Sequence, residues 1–193
     1  MKVVSIVGAR PQFIKAAPLL RAIARRHRSL LVHTGQHYDA LMSDVFFREL
    51  NLPPPDVHLG VGSGLHGAQT GMMMIGLERP LMDAKPDWVV VYGDTNSTLA
   101  GALVAAKLTQ KLAHVEAGLR SFNRAMPEEI NRIAADHLAN VLFCPSEAAI
   151  ANLAAEGRTT GVHRSADTMI EALGDTEPRA RLESTVLDRV GVG

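Results

Sequence analysis

The 193 residues suffice for one good hydrophobic core, and a make-up of 47% hydrophobic and 21% charged residues is that of an ordinary globular domain. Twenty basic and twenty acidic residues cancel, which argues against a broad basic face for nucleic acid, and the single Cys144 excludes an internal disulfide. No apolar run approaches the ~18 residues of a membrane span, so no membrane partner is expected. The opening Met1-Lys-Val-Val-Ser-Ile-Val run is too short for a signal peptide, so the expected compartment is the cytoplasm.

In chain order, Val3 to Val7 is a β-branched run ending at Gly8, and Pro11 sits where a helix would begin. The helix so started carries Lys15 one turn in. A glycine turn feeding a helix amino end is a general anion site, with Arg10 and Lys15 adding positive charge; the other reading is a tight turn with solvated cations. The spacing is neither a P-loop nor a dinucleotide fingerprint. Leu30 to His33 reads as a second strand, and Thr34 to Asp39 leads into a helix through Leu50. A proline loop at 53 to 55, a short strand near Val57 and a glycine loop at Gly60 to Gly64 precede a Met-rich helix over His66 to Ala84. Met72, Met73 and Met74 are expected to fill core gaps. Trp88 to Tyr92 is apolar throughout, as central parallel strands are. Gly93-Asp94 follows, then an Ala-rich helix to about Thr109, with Asp94 either a helix cap or a ligand-edge carboxylate.

The densest chemistry lies in His114 to Arg132. Leu112 to Val115 reads as a buried strand ending at Glu116. Pro127 then opens a helix with Glu128 and Glu129 in its first turn, where the dipole favours negative charge. Ile130, Ile133, Ala134, His137 and Leu138 share one face, expected to point to the core. Glu128 with Arg132 could also be a surface i, i+4 pair. A strand at Val141 to Phe143, a helix over Ser146 to Glu156 and a last strand at Val162-His163 complete the alternation. The predicted fold is α/β, a doubly wound parallel sheet of Rossmann type. A helical turn is expected over Thr168 to Leu173, a loop over 174 to 178 and a charged helix over 179 to 190. Residues 1–163 thus read as one domain and 164–193 as a connector.

The eight histidines show no metal signature, no GxSxG elbow is present, and Cys144 lacks an activating partner. What remains is three carboxylates (Asp94, Glu116, Glu128) and two cations (Arg10, Lys15) at ligand-edge positions. Carboxylates suit acid/base work on a neutral polyol, and cations suit a phosphate leaving group.

Gly8-Ala-Arg-Pro-Gln-Phe-Ile-Lys15, Thr34-Gly-Gln-His37, Gly93-Asp-Thr-Asn-Ser-Thr98, His114-Val-Glu-Ala-Gly-Leu-Arg120 and Met126-Pro-Glu-Glu-Ile-Asn-Arg132 together resemble the non-hydrolysing UDP-N-acetylglucosamine 2-epimerases. The resemblance runs from residue 1 to about 155. It implies the amino-terminal half of a GT-B architecture and cofactor-free interconversion of UDP-GlcNAc and UDP-ManNAc. UDP would be eliminated across C1–C2 and then re-added, with the C2 proton returned to the other face. It makes Asp94, Glu116, Glu128, Lys15 and Arg10 the expected catalytic residues, and Gln36, His37, Gln69, Arg120 and Arg132 the expected substrate contacts. It also implies a homodimer and a carboxy-terminal domain that the 193 residues do not contain, without which activity should be negligible. The alternatives are another GT-B sugar-nucleotide enzyme, either a glycosyltransferase or a hydrolysing epimerase, or a non-catalytic dimerisation or binding module.

Overall fold

A computed structural model of the chain describes residues 1–36 and 44–191. The apolar runs form the strands: β1 (Lys2–Val7), β2 (Arg28–His33), β3 (Val57–His58), β4 (Trp88–Tyr92), β5 (Leu112–Val115), β6 (Val141–Cys144) and β7 (Val162–Arg164). The helices are α1 (Arg10–Ala24), α2 (Asp44–Glu49), α3 (His66–Ala84), α4 (Asn96–Lys107), α5 (Pro127–Leu138), α6 (Glu147–Ala155), α7 (Thr168–Glu183) and α8 (Val186–Val190). The seven strands pair in the order β3-β2-β1-β4-β5-β6-β7, every pairing parallel. This is the doubly wound Rossmann-like arrangement, with the strand order reversing between β1 and β4.

Successive strand residues serve opposite faces of the sheet. Val89 and Val91 pack with Leu77 of α3, Ala102 of α4, Ala135 of α5 and Leu153 of α6. Val90 and Tyr92 face the other way, with Phe13 and Leu20 of α1 and the half-buried Leu50. Covering both faces explains why the central strands are apolar without alternation.

The structure departs from the sequence expectations in several places. Met73 fills the core, whereas Met72 is exposed and Met74 half-buried. The inward face of α5 is formed by Glu129, Asn131, Ala135 and Asp136, while Ile130 and His137 are exposed. Polar groups turn inward there because they bond to the neighbouring loops. Residues 174 to 178, expected as a loop, continue α7 through Pro178. The helix persists because Asp175 pairs with Arg21 of α1 and the Arg179 guanidinium donates to the Glu49 carbonyl, so tertiary contacts override the local breakers. The helix expected over 179 to 190 is the end of α7 and the separate α8.

Candidate functional site

The carboxyl edge at a strand-order reversal is where open α/β sheets bind ligands. Here that edge carries the turn after β1 and the turn after β4. At the first turn Gly8 permits a close approach: a Cβ would lie 2.0 Å from the Thr34 hydroxyl and 2.2 Å from that of Ser97. These two hydroxyls are hydrogen-bonded to each other at 2.8 Å. Gln12, in the first turn of α1, accepts from the Gly8 and Ala9 amides and donates to the Tyr92 carbonyl and the Thr98 hydroxyl. The two turn amides that a glycine-turn anion site would offer are therefore occupied by Gln12. What this turn brings to the edge is side-chain charge.

That charge is Lys15. It is buried and pairs with Glu116, which sits one residue past β5. Glu116 adopts φ +70°, a left-handed conformation that a non-glycine residue holds at a cost of about 1–2 kcal/mol. Such strain concentrates at functional sites. Gly93, at φ +61°, closes over the pair; a Cβ there would lie 3.0 Å from Lys15 Nζ and 3.3 Å from Glu116 Oε2. Glu116 Oε2 is buried and makes a charge contact with Lys15 without an aligned hydrogen bond.

Asp94 follows on the rim. It does not cap α4, whose cap position is Thr95; its Oδ2 accepts from Arg132 Nε at 3.0 Å. Arg132 also donates to Glu129, not to Glu128. Glu129 accepts in addition from the Ser121 amide and hydroxyl and from the Phe122 amide. Burial alone would raise the Glu129 carboxyl, but these donors and the Arg132 charge hold it below its ordinary range. Glu128, half-buried in the same first turn of α5, has no hydrogen bond or ion pair among the described residues. Its carboxylate is uncommitted.

The expected substrate contacts divide. Gln36 Oε1 accepts from the Ser97 amide and hydroxyl, which places Gln36 at the first turn of α4. Gln69 is buried between the Gly62 carbonyl and Asn96, and Asn96 joins Asn131, which donates to the Asp94 carbonyl. Arg120 donates to Asp136, Glu156 and the Leu119 carbonyl, a bracket within the protein. Arg10 is exposed, its guanidinium 5.8 Å from the centre of the Phe46 ring. His37 lies outside the described residues.

Sequence reasoning gave no site role to Gln12, Asn96, His114, Glu129, Asn131 or Asp136. A polar residue on the inward phase of a helix, as Glu129 and Asp136 are on α5, is the signal that could have found them. Cys144 is buried, and burial with the nearby Asp136 charge pushes its thiol up to about 11, so it stays protonated and inert. No group of three or more potential metal ligands occurs among the described residues, and none of the described helices is long and apolar enough to cross a membrane. A groove of about 870 Å³ between α1–α2 and α7–α8 is lined by Ile14, Phe46, Leu50, Met169 and Leu173, among others, and holds none of the candidate residues.

The profile of the family described as UDP-N-acetylglucosamine 2-epimerase matches residues 21–191. The chain belongs to this family. A UDP-N-acetylglucosamine 2-epimerase homolog of Methanococcus maripaludis is 56% identical over 173 residues, 90% of this chain and 48% of that protein. The UDP-2,3-diacetamido-2,3-dideoxy-D-glucuronate 2-epimerase of Pseudomonas aeruginosa is 54% identical over 81% of this chain and 45% of its own length. Among solved structures, the Methanocaldococcus jannaschii UDP-GlcNAc 2-epimerase in complex with UDP-GlcNAc and UDP superimposes with a TM-score of 0.94. It is 48% identical, over 96% of this chain and 52% of that one. The Neisseria meningitidis enzyme bound to UDP-GlcNAc gives 0.89 at 30% identity, over 98% and 52%. This epimerase-family chain thus spans about half the length of the relatives it matches and has the fold of the corresponding half of the solved enzymes.

Proposed function

We propose that the chain supplies the acid/base half of a UDP-N-acetylglucosamine 2-epimerase, interconverting UDP-GlcNAc and UDP-ManNAc by elimination and re-addition of UDP. The observation that carries this reading is the convergence of the Lys15–Glu116 pair, the Asp94–Arg132 pair and the uncommitted Glu128 on one sheet edge in a chain of this family. Inversion at C2 requires a proton to leave one face of the sugar and return on the other, so carboxylates are needed on two sides. Departure of UDP develops negative charge, which Lys15, Arg10 and Arg132 offset. Gln36 and Gln69 face the substrate in the same region, and Arg120 acts by holding the turn after β5. Hydrogen leaves and returns as a proton, so no step of this route calls for a hydride-carrying cofactor. The reaction belongs to the cytoplasm.

The nucleotide is held jointly with a second Rossmann-like half, in keeping with relatives about twice as long. The exposed side chains of Leu65, just before α3, and of Met72, Ile75 and Met82 along it support a homodimer. The 54% identity to the diacetamido-glucuronate enzyme favours a second reading of the same chemistry on a sugar bearing a carboxylate.

The test joins residues 1–191 to the carboxy-terminal half of the M. jannaschii relative and follows both nucleotide sugars by proton NMR. Formation of UDP-ManNAc supports the first reading, and turnover of the glucuronate alone supports the second. A folded chimera that turns over neither overturns both. The 193-residue chain alone is expected to show no turnover in the same assay, and near-normal rates from it would contradict the need for a second half.

A further inference from the structure

Beneath the edge lies a buried ion cluster that the proposed chemistry does not use. His114 and Asp136 are both fully buried, with His114 Nδ1 2.7 Å from Asp136 Oδ1 and Nε2 2.7 Å from the Gly93 carbonyl. A carbonyl only accepts, so Nε2 carries a proton. The other Asp136 oxygen accepts from the Gly118 amide at 3.0 Å and from Arg120 at 2.7 Å. One end of the cluster therefore grips the turn after β4 at Gly93, and the other grips the turn after β5 at Gly118. Both glycines hold positive φ, +61° and +79°.

Lys15 and Glu116 sit between those two grips. Gly93 closes over Lys15 Nζ and Glu116 Oε2, and Glu116 is two residues before Gly118. We infer that His114 and Asp136 are positioning residues that set the Lys15–Glu116 pair from both sides, fixing the β4 and β5 turns to one shared buried anchor. The inference rests on the reading of Lys15 and Glu116 as active-site groups, but its geometry needs no substrate. A buried hydrogen-bonded cluster of this kind is costly to leave half-satisfied, so loss of one member should displace the turns it holds.

Lys15 is itself the reporter. Reductive methylation with ¹³C-formaldehyde gives each lysine its own NMR signal, and the exposed Lys85 and Lys107 serve as references. In the wild-type chain Lys15 should react more slowly than both. Asp136→Ala is expected to raise the Lys15 rate at least about fivefold without changing Lys85 or Lys107, because modification of a paired, buried amine follows the fraction of time its site is open. Asp136→Asn should stay near the wild-type rate: its oxygen still meets Gly118 and Arg120, and its NH₂ can donate to His114 Nδ1 in the neutral tautomer. A merely structural role for the charge would make the two variants alike. Should Asp136→Ala fail to fold, His114→Asn decides, since it keeps a donor for Asp136 and withdraws the one to Gly93; it too should speed Lys15. A Lys15 rate unchanged in the folded variants, or a rise common to all lysines, overturns the inference. Because no substrate enters, that failure leaves the epimerase reading intact, and a failed epimerase assay leaves this result standing.

Discussion

At Glu129 one buried carboxylate satisfies two backbone amides and a hydroxyl and pairs with Arg132. Phe122, whose amide it binds, has φ +57°. Replacing the charge leaves those donors poorly satisfied, so Glu129→Gln is expected to cost about 2 kcal/mol at neutral pH, read as a lower melting temperature. The pH dependence follows from the sign of the shift. The folded carboxyl titrates below its ordinary value of 4.5, so its contribution is complete above about pH 4.5 and is lost as pH falls through the lower folded value. The gap between wild type and Glu129→Gln should therefore narrow under acid; a gap that is constant from pH 7 to pH 3 would contradict the assignment. The rim residues were legible in the sequence for a simple reason. Glu116 and Asp94 each follow an apolar strand run, and strand ends define the edge. Which of the adjacent Glu128 and Glu129 turns inward was not legible, because it depends on the helical phase set by the docking of α5.

The same phase governs α5 as an element. The stripe Ile130, Ile133, Ala134, His137 and Leu138 has the right period for a core face, yet the helix turns Glu129, Asn131, Ala135 and Asp136 inward. Periodicity finds an apolar stripe but cannot weigh it against polar groups that complete loop and strand hydrogen bonds. Ile130→Ser should accordingly change stability by less than about 0.5 kcal/mol. Ala135→Leu, at a fully buried site against the sheet, should cost roughly 1–3 kcal/mol through overpacking. Denaturant melts of the two variants check this, and a reversed order would restore the apolar stripe as the core face. At the β1–α1 turn, Gly8→Ala forces a methyl into the Thr34–Ser97 hydroxyl pair and should cost about 2 kcal/mol by the same measurement. A neutral effect would mean that the close approach is not needed. In α7 the reading of a loop at 174 to 178 failed because Gly174 and Pro178 are local signals, whereas the Arg21–Asp175 pair is made with α1.

Over the whole molecule, strand order and chemistry agree. The order reverses between β1 and β4, and that edge gathers Lys15 of α1, Gly93 and Asp94 after β4, and Glu116 one residue past β5. The alternation of apolar runs and helix starts made the doubly wound sheet legible, since each parallel strand needs a crossover helix and each helix a buried face. The hydrogen-bonded frame beneath the edge was not, because His114, Asp136, Gln12 and Asn131 bond across elements far apart in sequence. We propose that this edge exchanges the C2 proton of a UDP-sugar. The most direct test is deuterium wash-in at C2 of UDP-GlcNAc in D₂O, with residues 1–191 joined to the second half of a relative. Wash-in accompanied by UDP-ManNAc, reduced at least about 100-fold by Glu116→Gln, is the predicted result. A folded chimera that leaves C2 protiated, or one in which Glu116→Gln exchanges as fast as wild type, would contradict it.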